Sequence, residues 1–140
     1  MIAVVAAVIE RADRRILIGQ RRRGDSSPMK WEFPGGKMRP GESPVEALAR
    51  ELREELGVTL RRSREIARVK HTYPDRAEEF EIRFFAAEIG DEEIAPRAFE
   101  KIAWVLPKDF GEYEFLEANQ MLVAQLATGR IKPAEVLAKG

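Results

Sequence analysis

Ser43-Pro44-Val45-Glu46-Ala47-Leu48-Ala49-Arg50-Glu51-Leu52-Arg53-Glu54-Glu55-Leu56-Gly57 is the stretch on which the rest of the chain is organised. It predicts a helix from about Pro44 to Leu56. Ser43 suits the N-cap, Pro44 the first helical position, and Glu46 completes a Ser-x-x-Glu capping box. Gly57 stands where a glycine commonly ends a helix. On a helical wheel Val45, Leu48, Ala49, Leu52 and Leu56 fall in one arc of roughly 100°, the width of a core-facing stripe. Glu51, Glu54 and Glu55 share a neighbouring arc, because residues three and four apart lie on one face. Arg50 and Arg53 project elsewhere on the same wheel. Carboxylates crowded on one face repel one another. A hard divalent cation, Mg²⁺ or Mn²⁺, is what clustered glutamate oxygens prefer. With such an ion bound, a patch that repels a polyphosphate attracts one.

Outward from this helix, Met1 to Ile9 reads as a first strand and Arg15 to Arg21 as a second, hairpinned to it through Ala12-Asp13-Arg14. Residues 22–30 are a polar loop. Trp31-Glu32-Phe33-Pro34-Gly35-Gly36-Lys37 reads as one short apolar strand closing into a glycine turn. Val58 to Tyr73 is a strand with a bulge or break, because its apolar residues are unevenly spaced. Glu79 to Ile89 is a stronger strand, and Ile102 to Leu106 a short one around Trp104. A last helix runs from about Leu116 to Ala127, with a short helical tail after Pro133 in residues 130–140. Strands and helices alternate irregularly, which predicts an α/β (α+β) fold, a mixed sheet covered by helices. No repeat or linker interrupts the chain, so residues 1–140 are expected to form a single domain. Gly19 and Gly24 match neither a P-loop nor a dinucleotide fingerprint.

The composition narrows the chemistry. The chain has 140 residues and 24 basic side chains against 24 acidic ones, which argues against a partner bound through bulk charge, either a nucleic-acid polymer or a membrane. It contains no cysteine, so thiol catalysis, disulfides and cysteine-held metals are excluded. The single histidine, His71, excludes any site built on two imidazoles, and a surface or packing role is expected for it. The apolar N-terminal run has no basic flank and is too short to span a bilayer, so a cytoplasmic location is expected. Zero net charge also conceals a separation. Arg11, Arg14, Arg15, Arg21, Arg22 and Arg23 come early, and Glu42, Glu46, Glu51, Glu54 and Glu55 crowd the segment that follows.

A wider pattern surrounds the glutamates. Gly36 is followed by five residues, Glu42, seven more, and then Arg50-Glu51-Leu52-Arg53-Glu54-Glu55-Leu56-Gly57-Val58. This resembles the Nudix box at every defined position. Chance agreement at its Gly, Glu and Arg positions is on the order of one in a million for ordinary residue usage. Trp31 to Lys37 is similar to the entry into the box in the MutT branch of that family. Tyr73-Pro74-Asp75-Arg76 and the pair Trp104 and Asn119 also resemble MutT segments, so the likeness covers most of residues 2–127.

The resemblance implies a Nudix-type α/β/α sandwich, with the mixed sheet between helices. It also implies a metal-dependent pyrophosphohydrolase that cleaves a (deoxy)nucleoside triphosphate, with an (oxidised) purine such as 8-oxo-guanine or a pyrimidine, to monophosphate and pyrophosphate. By position, Glu51, Glu54 and Glu55 with the Gly35 carbonyl would ligate Mg²⁺ or Mn²⁺. Arg50 would orient the glutamates, Glu42 would support the loop–helix geometry alongside Gly36 and Gly57, and Glu51 would orient or deprotonate water. Arg21, Phe33, Arg76 and Asn119 would contact the nucleotide, with Tyr73 and Trp31 as further stacking candidates. The side-chain amide of Asn119 offers both a donor and an acceptor to a base. MutT-like chains usually carry another glutamate six residues before the tryptophan; here that position is Ala98, with Glu100 two residues on. The implied partner is a small nucleotide, and the protein would be a monomer or homodimer. The alternatives are a pyrophosphatase of dinucleoside polyphosphates or nucleotide sugars, and a non-catalytic nucleotide-binding module.

Overall fold

The first strand, β1 (Ile2–Ile9), is apolar on both faces because both faces are covered. In the computed structural model, which describes residues 1–74 and 77–139, it lies inside a four-stranded sheet. The further strands are β2 (Ile16–Gln20), β3 (Trp31–Glu32), β4 (Gly35–Lys37), β5 (Leu60–Thr72), β6 (Glu79–Ile89) and β7 (Lys101–Val105). The helices are α1 (Pro44–Leu56), α2 (Gln120–Ala127) and α3 (Pro133–Ala138). The larger sheet has the order β4-β1-β6-β5, and the smaller one β3-β2-β7. The larger sheet is mixed: β1 runs parallel to β6 and antiparallel to β4. Alternate residues of β1 serve opposite faces. Val5, Ala7 and Ile9 pack with Leu48, Leu52 and Leu56 of α1, whereas Ala6 and Val8 pack with Leu122 and Leu126 of α2. A helix therefore covers each face, as an α/β/α sandwich requires.

Three expectations about local structure change. The β1–β2 hairpin reduces to a single bridge, Glu10 to Ile16, after which the strands diverge into different sheets. Both edges of β1 are already taken by β4 and β6, so β2 pairs elsewhere. The stretch Trp31 to Lys37 is two strands, not one. Trp31–Glu32 pairs with β2 and Gly35–Lys37 with β1, and Phe33-Pro34 crosses between the sheets. Pro34 has no N–H, but its carbonyl accepts from Ala7 N–H at 2.7 Å. A side chain at Gly35 would meet the Val5 carbonyl oxygen at 2.0 Å, so only glycine permits this approach.

The third change concerns α1. Its capping box and its left-handed Gly57 (φ 71°) are both present. The buried stripe, however, is Ala47, Leu48, Leu52 and Leu56. Val45 is 48% exposed and Ala49 only partly buried. The helix turns its Ala47 edge to the sheet, where a methyl group allows close approach. That rotation carries Arg50 and Glu51 over β4. The uneven β5 has register shifts at Leu60/Arg62 and Glu65/Ala67, which accounts for its irregular apolar spacing. Before α2, Glu117–Asn119 forms a separate 3₁₀ turn.

Candidate active site

The end of β4 and the exposed side of α1 meet at glycine. A Cβ at Gly36 would lie 2.6 Å from the Glu51 carboxyl carbon, so the missing side chain is what lets Glu51 rest against the strand. Arg50 then gathers the acidic groups, although the wheel set it apart from them. Its Nε and Nη2 donate to the two oxygens of Glu42 at 2.6 and 2.9 Å. Nη1 donates to Glu51 at 2.9 Å and to Glu54 at 3.3 Å, and Nη2 also reaches the Lys37 carbonyl at 3.0 Å. A long planar guanidinium spans what the helical angle separates. Its hydrogen bonds, with the Arg39 N–H, hold the Glu42 carboxyl down at about 2. Arg50 is in turn pushed above the ordinary arginine range by hydrogen bonding to Glu42, with Glu51 also contributing.

Glu55 is in the opposite situation. It accepts from Gly35 N–H at 3.0 Å. Burial first, then the neighbouring Glu51 and Glu32 carboxylates, push its own carboxyl up to about 8. The expected ligand set of Glu51, Glu54 and Glu55 is not drawn together. Among the described residues no three His, Cys, Asp or Glu side chains gather closely enough to hold an ion. The cause is local: like charges separate, and each carboxylate takes the nearest donor, Arg50 for two of them and Gly35 N–H for the third. The chemistry of the donor set nonetheless suits a hard divalent cation. Negative charge from Glu51, Glu32 and Glu54 converges on a half-buried Glu55, and every available ligand atom is oxygen.

A cavity of about 360 Å³ opens beside Gly35, Gly36 and Glu55 and runs back to Asn119. A larger hollow of about 580 Å³ beside Trp104 and α3 shares no lining residue with it. Asn119 is only 5% exposed, and its Oδ1 accepts from Phe33 N–H at 3.3 Å. The amide nitrogen has no partner among the described residues, which leaves a donor at the cavity wall. Phe33, expected against the nucleotide, lines the cavity, but most of its ring belongs to the core. It is 2% exposed and packs on Phe84, Phe110 and Phe115. Trp31 is likewise buried, edge-on to Tyr113, and does not line the cavity; Tyr73 does. Arg21 lines it too, but its guanidinium is engaged by Glu32 and Ser26. Arg76 lies outside the described residues.

Ala98 packs against the core under α1, and Glu100 is exposed with its N–H on the Gln20 carbonyl. Neither lines the cavity. His71 stacks edge-on against Tyr73 at 4.5 Å, with Nε2 3.9 Å from Glu117. Glu32 carries no role in the sequence-based expectations. It lines the cavity, and burial, partly offset by Arg21, pushes its carboxyl up to about 6. The available signal was an acid set between Trp31 and Phe33 in an otherwise apolar strand.

Residues 1–136 match the family pattern described as the NUDIX domain. The chain belongs to the NUDIX family. This Nudix hydrolase is 36% identical over 138 residues to the CTP pyrophosphohydrolase of Escherichia coli, covering 96% of this chain and 98% of that one. It is 32% identical over 126 residues to the 8-oxo-dGTP diphosphatase of Haemophilus influenzae, covering 90% and 91%. A solved MutT structure, from work on the Aliivibrio salmonicida and Vibrio cholerae proteins, is similar with a TM-score of 0.77 at 30% identity, covering 91% and 98%. The Nudix fold thus accounts for both sheets and the helices on either side of them. Among the described residues no helix is long and apolar enough to cross a membrane.

Proposed function

We propose that this Nudix hydrolase is a divalent-metal-dependent pyrophosphohydrolase of nucleoside triphosphates, acting in the cytoplasm. Water adds across the phosphoanhydride between the α and β phosphorus atoms, giving nucleoside monophosphate and pyrophosphate. The observation that carries this reading is a continuous cavity with the glutamate helix at one end and a buried amide at the other, Glu55 and Asn119 both lining it. That arrangement suits a ligand with a polyphosphate and a base. The names of the relatives, a CTP pyrophosphohydrolase and an 8-oxo-dGTP diphosphatase, agree on a triphosphate and differ in the base.

In this reading Glu51, Glu54 and Glu55, with the Gly35 carbonyl, would hold Mg²⁺ or Mn²⁺. When bound, the ion supplies neutralisation of phosphate charge and acidification of water. Arg50 keeps Glu51 and Glu54 in register and Glu42 fixes Arg50, so that the negative charge of the helix is presented in one place. Glu51 orients the attacking water and takes its proton. Asn119 donates its amide N–H to an acceptor on the base, while Phe33 N–H fixes the other side of the amide. O6 of an oxidised guanine and N3 of cytosine are both acceptors but sit at different places on the ring, so the amide favours whichever of the two bases brings its acceptor to the cavity wall.

The test is a panel of ordinary and oxidised nucleoside triphosphates, dinucleoside polyphosphates and nucleotide sugars, with Mg²⁺ or with chelator, followed by product separation. The expected result is monophosphate and pyrophosphate from a triphosphate, and no turnover with chelator. Orthophosphate as the sole phosphate product, or preference for a dinucleotide or sugar substrate, overturns it.

A further inference from the structure

One part of the cavity wall comes from the loop between β2 and β3, through Ser26 and Ser27. This loop is held in an unfavourable backbone conformation. Ser27 (φ 49°) and Met29 (φ 64°) are both left-handed without being glycine. At its base Gln20 donates Nε2–H to the Met29 carbonyl at 3.1 Å, yet its buried Oε1 has no partner among the described residues. Short backbone bonds close the loop, from Arg21 N–H to the Lys30 carbonyl at 2.8 Å and from Met29 N–H to the Arg21 carbonyl at 3.0 Å. Strained backbone of this kind persists only where surrounding contacts over-determine it.

Those contacts converge on Arg21. Its Nε donates to the Ser26 carbonyl at 2.7 Å and Nη2 to the Ser26 hydroxyl at 3.1 Å. Nη1 donates to both oxygens of Glu32, at 3.1 and 3.3 Å. These bonds engage all three nitrogens of the guanidinium, and Glu32 offsets its charge. An arginine so engaged has little left to offer a phosphate. It is well placed to tie the loop to β3. Glu32 is the fixed end of that tie, because it is set in the strand that pairs with β2.

We propose that Glu32 is a positioning residue for nucleotide binding: through Arg21 it fixes the 22–29 loop so that Ser26 and Ser27 form a wall of the cavity. The inference rests on the triphosphate reading above and adds to it a residue that acts on substrate affinity and not on the chemical step. It also changes the expected role of Arg21 from a phosphate ligand to the link between Glu32 and the loop.

The test uses Glu32→Gln, which keeps the size of the side chain, and Arg21→Lys, which keeps its charge. Each is measured for KM, kcat and trypsin cleavage after Arg22 and Arg23. The expected result is a KM raised by about tenfold, the effect of losing a hydrogen bond to a charged group. kcat should stay within about threefold of the parent, since ground-state binding alone is lost. Cleavage in the loop should accelerate in both variants. Unchanged KM in either variant, or a loss confined to kcat, overturns the proposal. If the parent protein hydrolyses no triphosphate, the functional reading fails separately. The cleavage rates still decide the tie, and an unaltered rate in Glu32→Gln refutes it.

Discussion

The glutamate helix and the far wall of the cavity are built in contrasting ways. Around α1 the contacts are charged and near in sequence: Arg50 reaches Glu42 eight residues away, Glu51 one away and Glu54 four away. At the far wall they are neutral and remote, with Asn119 accepting from Phe33 N–H across 86 positions. Phe33 itself is fixed by an aromatic cluster drawn from β6 and the chain after β7. The first arrangement is set by one helix and the turn before it. The second exists only once both sheets and the α2 region have assembled. The helix should therefore govern the rate, and the cavity wall the choice of base.

The largest effect is expected at the helix. Glu54→Gln should lower kcat by about 100-fold or more while leaving the fold intact, since Glu54 is 48% exposed and packs against no core. Retained turnover would remove the helix from the chemistry. Arg50→Lys comes next. A single ammonium cannot reproduce the two-point contact with Glu42 while still reaching Glu51, so kcat should fall roughly 10- to 100-fold. Steady-state kinetics at saturating metal check both.

At the cavity wall, Asn119→Leu leaves the Phe33 N–H without its acceptor. It should cost about 1–3 kcal/mol of stability, measurable by denaturant unfolding, and should blunt discrimination among bases. A smaller effect separates two glutamates of the same box by pH. The carboxyl of Glu55 sits near 8 in the folded protein, above its ordinary 4.5. The folded state thus binds that proton more tightly than the unfolded chain, and the stability it contributes is full below about 4.5 and lost as pH rises through about 8. Glu42, held near 2, works in the other direction: its contribution is present above 4.5 and lost as pH falls toward 2. Melting curves in chelator should show Glu55→Gln flattening the loss on the alkaline side and Glu42→Gln the loss on the acid side. The smallest effect is expected for Val45→Ala, within about 0.5 kcal/mol, because Val45 is exposed. A cost of 2 kcal/mol or more, the range for a buried aliphatic side chain, would restore the face that the wheel assigned.

The same contrast explains what the sequence disclosed. The capping box, the Gly57 terminus and the glutamate spacing are consequences of local backbone geometry, so α1 could be read within a few residues. Arg50 was set apart because a wheel records where Cβ points and not how far a guanidinium reaches. Trp31 to Lys37 reads as one strand because nothing local shows that its ends belong to different sheets. Glu32 and the strained Ser26–Met29 loop were not legible, since their meaning lies in Arg21 meeting both of them at once. The motif around Phe33 places it near the site, but whether its ring faces the nucleotide or the core is decided by distant Phe84, Phe110 and Phe115.

The most direct test of this division compares kcat/KM for CTP and for 8-oxo-dGTP in the parent protein, Glu54→Gln and Asn119→Leu. Glu54→Gln is expected to lower both values by the same factor and leave their ratio unchanged. Asn119→Leu is expected to move the ratio toward one and spare kcat. A shifted ratio in Glu54→Gln, or an unshifted one in Asn119→Leu, would refute the division between helix and cavity wall.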